Sequence, residues 1–156
     1  MRKKSAKKKI VLPDPKYGNV TVTRFVNNLM FDGKKTIAFR VFYSALDNIS
    51  SKIDEEDALV VFEKALENVM PHVEVRSKRI GGATFQIPHP VREDRRLSLG
   101  MKWMIAAARK RNEKTMDAKL SAELMAAYKE EGSAYKKKQD THRMAEANKA
   151  FSHFRF

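Results

Sequence analysis

Apolar positions recur at helical period along most of the chain. Phe25, Val26, Leu29 and Met30 fall at i, i+1, i+4 and i+5, which predicts a short helix with Thr23 as its cap and Asp32-Gly33 as its stop. Ile37, Ala38, Val41, Phe42, Ala45, Leu46 and Ile49 then form one continuous stripe, the clearest helix in the sequence. A third helix opens at Asp54 through Asp57, whose charges suit the positive end of a helix dipole. Ala58, Leu59, Phe62, Ala65, Leu66 and Val69 make its buried face, and Pro71 ends it.

The period then changes from 3.6 to 2. Residues 72–80 and 83–91 flank Gly81-Gly82, a pair that accepts the positive φ angles of a two-residue hairpin turn. Val73 and Val75 alternate with Glu74 and Arg76, and Phe85 and Ile87 alternate with Thr84 and Gln86. Pro88 and Pro90 are expected to end the second strand. A lone two-stranded ribbon is marginal in water, so its base should pack on helices while its tip projects. His72 and His89 are placed to face each other near that base.

A fourth helix is expected over about 92–111, with Leu97, Met101, Met104, Ile105 and Ala108 inward. Thr115 is the expected cap of a fifth, with Met116, Leu120, Leu124 and Ala127 inward and Gly132 as breaker. The sixth, from about Ser133 to Ala150, has a thin apolar stripe of little beyond Tyr135 and Ala145, and is expected to be exposed or to lie against a polar partner. The chain then runs Phe151-Ser152-His153-Phe154-Arg155-Phe156. The pattern predicts a mainly α protein: a bundle of about six helices with one protruding β-hairpin, a basic N-terminal arm and a C-terminal tail. The divisions are a disordered arm over 1–9, one helical domain over 10–150 with Ile10-Val11-Leu12 as an apolar anchor, and an aromatic tail over 151–156.

Composition adds the chemistry. The 156 residues correspond to about one domain, and a chain of this size buries roughly 70% of its unfolded surface. Lys and Arg number 32 against 19 Asp and Glu, a net charge of +13. There is no cysteine, hence no disulfide, thiolate metal site or cysteine nucleophile. No apolar run reaches the roughly 18 residues of a membrane span, and no apolar region follows the charged N-terminus as in a signal peptide. The expectation is a cytosolic protein without a membrane partner.

The charge is segregated. Residues 1–16 are net +6 and residues 76–111 net +8, whereas 47–67 are net −5. A protein made basic only for solubility does not need that separation; a polyanionic partner explains it better. The candidate contacts are Arg2, Lys3, Lys4, Lys7, Lys8 and Lys9 in the arm; Arg76, Lys78 and Arg79 in the hairpin; Arg92, Arg95, Arg96, Lys102, Arg109, Lys110 and Arg111 along helix four; and Lys136, Lys137, Lys138 and Arg143 on helix six. The hairpin tip, Arg79, Ile80, Gly81 and Gly82, permits close backbone approach to a groove. Lysines on an edge strand also guard against aggregation, the bland alternative for the hairpin.

Enzyme signatures fail. The six glycines form neither a dinucleotide loop nor a phosphate loop. The four histidines lack metal-ligand spacing, and Asp54-Glu55-Glu56-Asp57 is better explained as a helix cap than as catalytic carboxylates. No catalytic residue, metal or cofactor is expected. A DNA-bending architectural protein remains the rival reading, with Ile80 as its only apolar wedge.

Several blocks also resemble a known family. Gly33-Lys34-Lys35, followed by Ile37-Ala38 and Val41-Phe42-Tyr43-Ser44-Ala45, is similar to the signature segment of the small-subunit ribosomal protein S seven family. So are the hairpin from Val73-Glu74-Val75-Arg76 to Gln86-Ile87-Pro88, the run Ala107-Ala108-Arg109-Lys110-Arg111, and the block from Asp140-Thr141-His142-Arg143-Met144 to Phe151. Leu12-Pro13-Asp14-Pro15 resembles bacterial members. Pro90 and the terminal Phe156, where Trp is common, depart from the pattern. The resemblance implies a non-enzymatic constituent of the small ribosomal subunit that binds the 3′ major domain of its rRNA and nucleates assembly of the head. It implies a place near the exit-site (E-site) tRNA and the mRNA exit path, contact with small-subunit proteins nine and eleven, and no homo-oligomer. It also implies, for some members, repression of their own operon mRNA. Lys34 and Lys35 join the candidate rRNA contacts on this ground.

Overall fold

The computed structural model describes residues 9–53 and 56–154, Phe154 by its backbone alone. Six α-helices and one hairpin follow in the order α1 (Val20–Leu29), α2 (Lys35–Ser50), α3 (Ala58–Val69), β1 (Val73–Ile80), β2 (Ala83–Pro90), α4 (Glu93–Arg109), α5 (Met116–Tyr128) and α6 (Gly132–Ala147), closed by a 3₁₀ turn at Lys149–Phe154. The mainly helical bundle with one β-hairpin is as the periodicity predicts.

The core explains the helical order. Phe25, Phe42 and Phe62, one each from α1, α2 and α3, meet with ring centroids 5.1–5.5 Å apart, two of the pairs edge to face, the geometry aromatic quadrupoles favour. Leu46 and Ile49 of α2, Met101 and Met104 of α4, and Leu120 and Leu124 of α5 complete a fully buried centre.

Several local expectations need correction. Asn19, not Thr23, caps α1: its Oδ1 accepts from Thr21 N at 2.7 Å, while Thr23 is buried within the helix. Asn can cap as Thr does, and starting one turn earlier brings Val22 into the core. Asp57 caps α3, its Oδ1 accepting from Leu59 N at 3.2 Å; Asp54 and Glu55 lie outside the described residues. Thr115 stands at the N-cap position of α5 without a side-chain capping bond. Ile10 and Leu12 are 92% and 75% exposed rather than anchored. The segment is fixed one turn later instead, by buried Asp14, which accepts from Tyr17 N at 2.8 Å, from Lys16 N and from the Tyr43 hydroxyl. Ile37 lies in the first turn of α2 and is exposed.

The hairpin turns at Gly81 and Gly82, whose φ angles of 55° and 89° are those only glycine adopts freely. Its register runs from Val73↔Pro90 to Ile80↔Ala83. The prolines therefore do not end β2. Val91 N donates to His72 O at 2.9 Å, so bonded pairs fall at Glu74↔His89 and Arg76↔Ile87, and Pro88 and Pro90 occupy the intervening non-bonded positions, where no N–H is required. Opposed residues share a face. Val73 and Val75 thus lie on one face with Pro88 and Pro90, whereas Ile87 and Phe85 lie on the other with Glu74 and Arg76. Both faces are covered at the root, where Ile87, Pro88 and Glu74 are buried. The Phe151 ring meets Phe85 at 5.2 Å.

Helix α6 is not the exposed element its thin stripe suggests. Ala134, Thr141 and Ala145 are buried, and α6 packs on α3, α4, α5 and the hairpin. Small residues allow close approach where large apolar ones are absent. Its start is set by Gly132, at φ 87°, where a Cβ would lie 3.0 Å from Glu123 Oε1.

Candidate nucleic-acid interface

The basic residues fall into those that brace the fold and those that stand at its surface. At the hairpin root, Arg76 donates from Nε and Nη2 to Glu74 Oε1 at 2.9 and 2.7 Å, and Arg95 of α4 donates from Nε to Glu74 Oε2 at 2.9 Å. One carboxylate thus joins β1 to α4. The Arg95 hydrogen bond, and then that of Arg76, holds Glu74 below the usual carboxylate range although burial opposes it. At the far end of α4, Arg111 donates to Glu113 at 2.9 Å and to the fully buried Glu123 at 2.8 Å. The other oxygen of Glu123 accepts from Ala134 N at 2.9 Å, in the first turn of α6. A buried carboxylate is thereby satisfied by a guanidinium and by a helix N-terminus.

Among the described residues, further candidate cations stand exposed on the hairpin, on α4 and on α6. In the hairpin, Arg79 stands exposed beside Gly81 and Gly82, and Lys78 and Ile80 are half-buried. On α4, Arg92, Lys102, Arg109 and Lys110 are exposed. Lys136, Lys137 and Arg143 project from α6, Arg143 lying 4.0 Å from Asp140. Lys9 is exposed; Arg2, Lys3, Lys4, Lys7 and Lys8 lie outside the described residues.

The fold also unites two sets that are far apart in sequence. Lys34 and Arg109 rim an apolar hollow of about 360 Å³ that contains Phe31, Ile37 and Met116. The Arg109 guanidinium lies 4.1 Å from the centre of the Phe31 ring and donates to Leu29 O at 3.2 Å. Lys34 is 3.9 Å from Asp32, and Lys35 stands exposed on the first turn of α2, over the Phe39 ring. Sequence reasoning misses Phe31. Its position just beyond the apolar stripe of α1, before Asp32-Gly33, is the available signal.

His72 does not face His89, whose partner across the hairpin is Glu74. It meets α6: the His72 and His142 rings lie 6.0 Å apart, and His72 N donates to His142 Nε2 at 3.1 Å. Lys138, one turn earlier on α6, donates to Asn68 O at 2.8 Å. Arg96 is half-buried on α4. Among the described residues no group of three or more His, Asp or Glu is placed to hold a metal ion.

This arrangement defines a class: a mainly helical, strongly basic protein with one braced two-stranded arm and cations on several exposed faces. Residues 1–149 match the sequence model of a family described as ribosomal protein S7p/S5e. The chain is 62% identical to the small ribosomal subunit protein uS7 of Flavobacterium johnsoniae over the full length of both, and 60% identical to the uS7 proteins of Flavobacterium psychrophilum and Christiangramia forsetii, again over full length. The chain belongs to the ribosomal protein S7p/S5e family, of bacterial type, and is a structural ribosomal protein rather than an enzyme.

Proposed function

We propose that this protein is an rRNA-binding constituent of the small ribosomal subunit that organises the 3′ major domain and nucleates assembly of the head. Its place in the small subunit, in the bacterial cytoplasm, follows from its family and full-length relatives. The finer reading is supported by one observation above others: candidate cations not absorbed by Glu74 and Glu123 stand exposed on the hairpin, on α4, on α6 and at the start of α2, around a helical body. Lysines and arginines on such a body displace counterions from converging phosphates and hold together RNA helices that otherwise repel. A-form RNA hides its major-groove edges, so junction shape is read more than sequence. The contacts are Lys34, Lys35, Lys78, Arg79, Arg92, Lys102, Arg109 and Lys110, extended by the N-terminal arm and by Lys136, Lys137 and Arg143. The hairpin tip lies near the E-site tRNA and the mRNA exit path, the neighbours are small-subunit proteins nine and eleven, and the protein acts as a single copy. Repression of its own operon mRNA would use the same surface.

Hydroxyl-radical footprinting tests this. Small-subunit rRNA mixed with the full-length protein should be protected within the 3′ major domain, and Lys110→Gln should weaken that protection. Protection confined to another domain, or equal affinity for duplex DNA at matched salt, would sink the reading.

A further inference from the structure

The root of the hairpin gathers four basic groups from three elements. His72 immediately precedes β1, Arg96 belongs to α4, and Lys138 and His142 lie one turn apart on α6. The positive charges of Arg96 and Lys138 are both felt at His72, and that of Arg96 at Lys138. Burial first, and these neighbouring charges second, hold His72 below the usual imidazole range. Burial and the charges of Lys138 and His72 do the same to His142. Lys138 is likewise held below the usual ammonium range, mainly by burial, with Arg96 adding to it against the acids Glu67 and Glu130.

The four groups are unequally satisfied. Lys138 has one carbonyl partner, Asn68 O, and His142 Nε2 accepts from the His72 amide. The Nε of Arg96 is buried with no hydrogen-bond partner. An unmet buried donor of a guanidinium is costly, and Arg95 beside it shows the ordinary solution, a carboxylate at 2.9 Å. Glu74 is already taken by Arg95 and Arg76. What Arg96 Nε lacks is an acceptor.

We propose that the hairpin root holds a phosphate group between Arg96, Lys138 and His72, with His142 fixing the start of β1 beside it. The assignment rests on the RNA-binding reading above for the source of the phosphate, an internucleotide phosphate of the bound rRNA. Its chemistry is that of any phosphate oxyanion. The planar guanidinium offers N–H donors in a fork that matches phosphate, while the Lys138 ammonium adds charge and the neutral His72 imidazole a ring N–H donor. A phosphate there would satisfy Arg96 and relieve the repulsion between Arg96 and Lys138. It would tie RNA to the junction from which the hairpin projects, and so set the arm's direction in the complex.

The test uses the full-length protein and its Arg96→Gln variant. In one arm, the His72 and His142 ring resonances are followed as inorganic phosphate replaces chloride at constant ionic strength. They should shift in the parent protein and stay in place in the variant. In the other, affinity for a transcript of the 3′ major domain is measured across salt concentrations. Arg96→Gln should weaken binding about tenfold, as expected for one charge-assisted contact, and flatten the log-log salt slope by about 0.7–0.9. Arg96→Lys should recover part of both, and the melting temperature of each variant should match the parent. Ring shifts with phosphate in a protein that does not bind the transcript would uphold the anion site and overturn its rRNA source. Normal transcript binding with unchanged affinity and slope in Arg96→Gln would overturn the site and leave the rRNA reading standing. Rings that shift with neither inorganic phosphate nor transcript would overturn the site as well.

Discussion

At the scale of single residues, neighbouring arginines and lysines with the same formal charge have different work. Arg111 and Lys110 are adjacent, yet Arg111 is held by Glu113 and the buried Glu123, whereas Lys110 is exposed. Glu123 is the pivot, since it also receives the amide of Ala134 at the start of α6. Glu123→Gln keeps the shape and removes the charge. It should cost about 2 kcal/mol, in the range for hydrogen bonds to charged groups, and lower the melting temperature by roughly 4–8 °C in a chain of this length. Arg111→Gln should destabilise in the same direction, while Lys110→Gln should leave the melt unchanged and weaken RNA binding alone. Calorimetry on the three variants decides it; equal melting temperatures would show that the Glu123 pair is structurally idle. The composition can announce the arginine at 111, but its partner lies twelve residues on, and a glutamate inside the pattern of α5 carries no sign that it is buried.

At the scale of elements, the junction between hairpin and α6 depends on the protonation of one imidazole. His142 Nε2 accepts from His72 N, so it must be unprotonated there. Burial, Lys138 and His72 hold the folded pKa of His142 below its ordinary value near 6.5. A group depressed in this way stabilises the fold above the unfolded pKa and loses that contribution as pH falls from about 6.5 through the folded pKa. The protection factor of the His72 amide, its exchange corrected for the intrinsic rate at each pH, should therefore fall below about pH 6.5, and His142→Gln should remove the part of that dependence that His72 itself does not contribute. A protection factor that stays constant between pH 7.5 and 5 would show that the bond does not hold the junction. The turn gives a second expectation. Gly81 and Gly82 sit at positive φ, and a Cβ at either position would have nothing within 4 Å, so Val at both positions strains the turn without a clash. Because the tip is exposed, the loss should appear in hairpin amide protection rather than in the global melt, and a large drop in melting temperature would contradict a projecting arm. Period and turn chemistry make the hairpin legible. The prolines mislead because strand-ending is their average behaviour, and only the register shows that 88 and 90 fall where no N–H is needed. Helix α6 misleads for a related reason: Ala134, Thr141 and Ala145 bury by close approach, which a count of large apolar residues overlooks.

At the scale of the whole molecule, the segregation of charge is the most legible functional signal, and the fold refines it. Part of the +8 carried by residues 76–111 is neutralised internally by Glu74, Glu113 and Glu123, so the field presented to a partner is smaller than the segment sum and comes from fewer positions. Bringing Lys34 and Arg109 to the rim of one hollow is a result of tertiary packing that no local pattern encodes. The arm is a separate contribution. Deleting residues 1–9 removes six basic groups and none of the buried core, which begins at Asp14 and Val22. The melt should therefore barely change. Binding to the rRNA domain should weaken, and its dependence on salt should become shallower, because every phosphate interaction that disappears subtracts about 0.7 from the log-log slope with single-stranded RNA. Three real interactions would flatten it by about 2. The deletion is best measured beside Arg96→Gln. The arm and the hairpin root are distinct attachments, so their slope changes should add in the double variant. A deletion that leaves the slope intact would make the arm a solvated charge run, with the RNA held by the folded body alone.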